Sequence, residues 1–247
     1  MKNLKALFAY IYQWLIFMPI LLITTISTAI VVMVGCTLRN HKFWGYYPPK
    51  YWSKILCRTA LCKIKIKHSN KLDPNQSYIF VANHQGAFDI FLTYGYLSQN
   101  IKWVQKSELR KLPFTGKASE IAGHVFVNSS NTKTMAKTIE KAKNELLEGV
   151  SMVIFPEGAR TENGKMGHFK KGAYIIATQM QLPIVPITLN GPYDVLKIHS
   201  RQLNLGKTME IIVHDPIVTE GLTENDIPIL IKETVNIIES GLWSRYK

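Results

Sequence analysis

The chain has 247 residues, room for one large domain or for a domain with a small appendage. Its 30 Lys and Arg against 17 Asp and Glu leave a formal net charge of +13, which suits an anionic partner: nucleic acid, an anionic membrane or a phosphorylated substrate. The cationic residues are scattered and carry no aromatic-basic recognition motif, which sets nucleic acid aside; the seven His do not cluster with Cys or carboxylates at ligand spacing, which sets a metal aside.

From Ala6 to Leu38 there is no charged side chain, and Leu15 to Cys36 is a near-continuous apolar run interrupted mainly by Thr24, Thr25, Ser27 and Thr28. A helix of about 20 apolar residues crosses a bilayer, so this run is long enough to cross once. A signal peptide fits less well, because an h-region of about 7–15 residues is half as long. A single span and a hairpin dipping into one leaflet remain. Pro19 favours a bend. Lys2 and Lys5 before the run and Arg39 and Lys42 after it give no orienting asymmetry, and a hairpin with both ends on one face explains that symmetry better.

Residues 44–62 then interleave Trp44, Tyr46, Tyr47, Tyr51 and Trp52 with Lys50, Lys54 and Arg58, a pattern suited to headgroup depth. The cysteines, Cys36, Cys57 and Cys62, are odd in number and lie near this segment, which points to a reducing compartment. Residues 1–62 therefore read as membrane-associated helices, hairpin or single span followed by an interfacial helix.

Residues 63–247 alternate strands and helices. Short β-branched or aromatic runs occupy Lys63–His68, Ser77–Ala82, Ile101–Gln105, Val125–Val127, Ser151–Phe155, Ile184–Leu189 and Met209–His214. Helical patterns cover Phe88–Leu97, Thr132–Leu147, Phe169–Gln179 and Thr223–Leu242. The expected fold is α/β, a mixed, largely parallel sheet flanked by helices, with a membrane-embedded N-terminal segment. In such sheets sites lie at the carboxyl ends of strands.

The strand ends carry the chemistry-bearing residues. VANHQGAFDI places His84 and Asp89 between an apolar strand and a helix. A plain turn explains Asn, Gln and Gly equally well. SMVIFPEGAR ends a second strand with Pro156, Glu157, Gly158 and Arg160; again a turn is the simpler reading of that segment alone. Lys106 to Gly116 leaves a third strand through a Pro and Gly loop and leads to Gly123 and Phe126. Leu182 to Ile187 starts another strand between prolines.

These blocks, in this order over about residues 75–190, closely resemble the glycerolipid acyltransferase family, nearest to the bacterial 1-acyl-sn-glycerol-3-phosphate acyltransferases. Asn83-His84 with Asp89 matches the family's His-x4-Asp block, Lys106 through Phe126 the second, Phe155 to Arg160 the third and Leu182 to Ile187 the fourth. One position departs: the second block ordinarily ends Gly-x-x-Phe-x-x-Arg, and here the arginine position is Ser129.

The resemblance implies a membrane-associated enzyme that transfers an acyl chain from acyl-CoA or acyl carrier protein to the free hydroxyl of 1-acyl-sn-glycerol 3-phosphate, forming phosphatidic acid, with no bound cofactor. The catalytic domain is expected on the cytoplasmic side. His84 would be the general base and Asp89 its orienting carboxylate. Glu157, with Gly158 beside it, would contact glycerol or head-group hydroxyls; Arg160 would clamp the phosphate and Lys106 add charge. Ser129 opens an alternative acceptor, another lyso-lipid such as a lyso-aminolipid. A non-catalytic membrane-binding relative of the fold is the alternative from outside the enzymes.

Overall fold

A computed structural model describes the chain except residues 1, 39, 69–71, 128–139, 141–145 and 147–148; of residues 2–6 only the backbone is described. Ser129 and most of the helix expected over Thr132–Leu147 lie outside the described residues.

The N-terminal run forms one continuous helical rod: α1 (Lys2–Tyr12), a π-helical turn (Gln13–Phe17) and α2 (Met18–Leu38). The expected doubling back at Pro19 does not occur. Proline has no N–H to give the carbonyl four residues earlier, and the wider π turn just upstream accommodates the loss without reversing the chain. The reversal comes after the run, through α3 (His41–Trp44) into α4 (Tyr47–Thr59), which packs back against α2. Gly35 makes that return possible: a Cβ there would collide with the Trp44 ring.

Residues 7–38 are long and apolar enough to cross a membrane, and 17% of their most apolar window is buried in the protein. Leu15, Leu22, Ile23, Ile30 and Val34 are exposed. The other side of the rod docks. Phe17 stacks on Phe88 at 6.3 Å, and the buried Gln13 donates to Arg201 O at 2.6 Å and accepts from Leu203 N at 2.8 Å. The one amide in the apolar run is thus the latch that fixes the rod to the rest of the chain. We expect the full-length protein to stay on membranes through high-salt and carbonate washes, because burial of the exposed apolar stripe in lipid is insensitive to ionic screening. Release by salt alone would show an electrostatic attachment instead.

All of the expected strands form. β1 (Lys63–Lys67), β2 (Ile79–Ala82), β3 (Asn100–Lys106), β4 (Val125–Val127), β5 (Val150–Ile154), β6 (Ile184–Asn190) and β7 (Thr208–Val213) make one sheet in the order β1-β7-β6-β2-β5-β3-β4. The five strands from β6 to β4 are mutually parallel; β7 runs antiparallel to β6 and carries β1 parallel to itself. β2, β5 and β6 are buried along their whole length, as the unbroken apolar runs of strands covered on both faces require.

One face of the sheet packs on α4, α5 (Phe88–Tyr96) and Phe17; the other packs on α7 (Gly172–Met180) and α9 (Ile227–Gly241). Short helices α6 (Thr115–Ile121) and α8 (Pro192–Val195) fill the links after β3 and β6. α6 rests on α2 through Ala118 and Ala122 against Ala29, Val32 and Cys36. β2 is central, with β5 beside it and β3 next, so the loops leaving these three strands emerge along one edge.

Candidate active site

β2 ends at Ala82, and the next residue replaces a broken ladder with its side chain. Asn83 donates to Leu189 O at 3.0 Å and accepts from Leu189 N at 2.8 Å. His84 follows at the carboxyl end of the strand. Five residues on, Asp89 sits in the first turn of α5, where the helix dipole favours a carboxylate. That spacing lets the helix turn bring Asp89 back to the histidine: His84 Nδ1 lies 2.7 Å from Asp89 Oδ2, and the same oxygen accepts the Gly86 amide at 2.7 Å.

The two partners differ in exposure. The Asp89 side chain is 0% exposed and the His84 side chain 15%. Burial pushes the Asp89 carboxyl above the usual aspartate range, opposed by its bonds to His84 and Gly86. With Nδ1–H donated to the aspartate, Nε2 keeps its lone pair, which is the tautomer a proton acceptor needs.

The loop after β5 surrounds His84. Phe155 stacks on its ring, with centroids 4.1 Å apart and planes 7° from parallel, and Trp103 of β3 stacks on the far side of Phe155 at 5.4 Å. Glu157 Oε1 accepts the His84 amide at 2.7 Å, and Oε2 accepts the Gly167 amide at 2.8 Å. Burial raises the Glu157 carboxyl, and these amides hold it down. The Thr161 amide donates to the His84 carbonyl at 3.0 Å. Gly158 turns the loop at φ +75°, a backbone conformation that favours glycine.

The expected site residues therefore divide. His84, Asp89 and Glu157 meet directly. Gly158 shapes the loop between them. Arg160 is exposed on that loop, and Lys106 is exposed at the end of β3. Each oxygen of Glu157 already holds a backbone amide, an arrangement the sequence reading did not include. The stacking role of Phe155 was also missed; its only sequence signal was an aromatic closing an apolar strand. His124 takes the Trp103 amide on Nδ1 at 3.3 Å.

The profile of the Acyltransferase family matches residues 63–190, which include all of these positions. The chain belongs to that family. Among curated relatives, the mouse 1-acyl-sn-glycerol-3-phosphate acyltransferase alpha is 31% identical over 169 residues, 68% of this chain and 59% of that protein. A Chlamydomonas reinhardtii protein of the same activity name is 25% identical over 215 residues, 87% of this chain and 63% of its own. The chain thus spans about three-fifths of the length of these relatives. The crystal structure of the 1-acyl-sn-glycerophosphate acyltransferase from Thermotoga maritima superposes on this acyltransferase with a TM-score of 0.79 at 24% identity, covering 98% of this chain and 96% of that one, so the whole architecture is shared.

Proposed function

We propose that this acyltransferase esterifies the free hydroxyl of 1-acyl-sn-glycerol 3-phosphate with an acyl chain from acyl-CoA or acyl carrier protein, producing phosphatidic acid at a membrane, with its catalytic domain on the cytoplasmic side. The observation that carries the chemistry is the His84–Asp89 pair, 2.7 Å apart at the end of β2, with Nδ1 taken by the aspartate. The names of the relatives support the substrate, and the apolar rod supports a lipid acceptor.

In this mechanism the acceptor hydroxyl gives its proton to His84 Nε2 as its oxygen bonds to the thioester carbonyl carbon. Asp89 holds the ring through Nδ1–H and offsets the positive charge that forms on it. The tetrahedral intermediate collapses by breaking its carbon–sulfur bond, and the leaving thiolate takes the proton back from His84. No acyl-enzyme is required, because the lipid hydroxyl is the nucleophile. Arg160 and Lys106 supply cations for the acceptor phosphate, and the positive surface suits an acidic donor. Incubating membranes that contain the protein with several lyso-lipids and labelled acyl-CoA, and in parallel with labelled acyl-acyl carrier protein, tests the proposal; no label in phosphatidic acid from either donor would refute it.

Ser129 favours a second reading of the acceptor. Serine offers a neutral hydroxyl where the family pattern has a guanidinium. A charge-assisted hydrogen bond contributes ~1.5–3 kcal/mol, roughly 10- to 150-fold in binding. Ser129→Arg is expected to raise kcat/KM for lysophosphatidic acid about tenfold. If the enzyme ignores lysophosphatidic acid but acylates an uncharged-head or amino-acid lyso-lipid, and Ser129→Arg changes neither rate, the acceptor is the other lipid.

A further inference from the structure

We propose that Glu157 is a positioning residue for His84 and not a ligand of the acyl acceptor: the loop from Phe155 to Thr161 is a clamp that holds the catalytic base by its backbone and its ring. This inference rests on the reading of His84 as the base.

Three contacts define the clamp, all from the segment that leaves β5. The His84 N–H goes to Glu157 Oε1 at 2.7 Å, its C=O receives the Thr161 amide at 3.0 Å, and its imidazole lies flat on Phe155 at 4.1 Å. Both polar groups of the His84 main chain and one face of its side chain are therefore committed to a single neighbouring loop. Asp89 then sets only the remaining freedom, the rotation and protonation of the ring. The clamp is itself braced. Glu157 Oε2 holds the Gly167 amide at 2.8 Å, and a Cβ at position 167 would lie 2.9 Å from that oxygen, so glycine lets the two strands of the loop close on the carboxylate. The Lys170 amide donates to Pro156 O at 3.0 Å and pins the loop at its start.

A carboxylate that presents each oxygen to a backbone amide is engaged in fixing geometry. Its negative charge also lies beside the imidazole that becomes positive during turnover. General-base catalysis depends on a short, aligned hydrogen bond to the attacking hydroxyl, and a displacement of about 1 Å costs on the order of 100-fold. The clamp explains why Glu157 belongs next to the base although 73 residues separate them in sequence. It assigns acceptor binding to other residues of the site.

The two roles separate in kinetics. Glu157→Gln in the full-length, membrane-bound protein keeps one oxygen for one amide but turns an NH2 toward the other. We expect kcat to fall about 10- to 100-fold with KM for the lyso-lipid within about twofold of wild type, the pattern of an interaction felt only in the transition state. An acceptor ligand behaves oppositely: a rise of about tenfold or more in KM for the lyso-lipid with kcat unchanged would overturn the proposal, as would unchanged kcat and KM together. If Glu157→Gln does not fold, Phe155→Leu decides in its place, with the same fall in kcat at constant KM expected and a KM effect overturning the clamp. If instead His84→Ala keeps activity within tenfold of wild type, it is the base assignment that fails.

Discussion

His84→Ala should lower kcat by roughly 10^2- to 10^4-fold or more, because general-base catalysis contributes about that much and His84 is the ring that Asp89 holds. The variant should remain on membranes, since the rod is latched through Gln13 and Phe17, away from Nε2. It also leaves the Asp89 oxygen with the Gly86 amide and without the ring, and losing one partner of a buried pair destabilises the native state. Activity should therefore be read on protein shown to be folded, by comparing turnover per folded molecule with wild type in a labelled acyl-CoA assay. Activity within about tenfold of wild type would remove His84 from the mechanism.

Asp89→Asn should separate activity from stability. The substitution removes the charge that offsets the imidazolium. If the amide nitrogen turns toward Nδ1, the ring proton is forced onto Nε2, where it blocks proton acceptance. A loss of roughly 10^2- to 10^4-fold in kcat is expected. Stability should move the other way. The carboxyl is wholly buried, and its folded-state pKa lies above the ordinary value, chiefly through desolvation. Such a group favours the fold while protonated and loses that contribution as pH rises through the raised value. At pH 7–8 the neutral amide is thus expected to give a Tm equal to or above that of wild type. The difference should narrow as pH falls through the raised value, where folded wild type takes up the proton, and level off below the ordinary aspartate value of about 3.9, where the unfolded chain takes it up too. A Tm several degrees below wild type at pH 8 with activity retained would mean that Asp89 is a structural carboxylate only.

Together with the kcat effect expected of Glu157→Gln, these variants describe a base held from two sides. Asp89 acts on Nδ1 from the helix that follows His84, and the loop after β5 acts on its peptide and ring face. Mutating Asp89, Glu157 or Phe155 should leave lyso-lipid binding largely intact, because the acceptor phosphate falls to Arg160 and Lys106 in this arrangement.

Local physics in the sequence was enough for the strands and for the nearness of His84 to Asp89, while the catalytic reading of that pair came from the family resemblance. Each strand is a short apolar or alternating run bounded by Pro, Gly or polar residues, and burial on both faces of β2, β5 and β6 follows from the unbroken runs themselves. His84 and Asp89 were legible because a strand end and the first helix turn lie five residues apart, within reach of one another whatever the rest of the chain does. Long-range geometry was not legible. The reversal of β7 against β6, which carries β1 with it, depends on how the links cross the sheet. The fate of the apolar run was decided by tertiary contacts too: Pro19 reads as a bend, but a π turn absorbs it and Gln13 finds partners near residue 200, so the helix runs on unbroken and the return falls to α4. Glu157 is the clearest case. In the sequence it is an acid on a turn, open to a substrate hydroxyl. Only the adjacency of β5 to β2 brings its carboxylate to the His84 amide, and a backbone bond between residues so far apart leaves no mark on local spacing or periodicity.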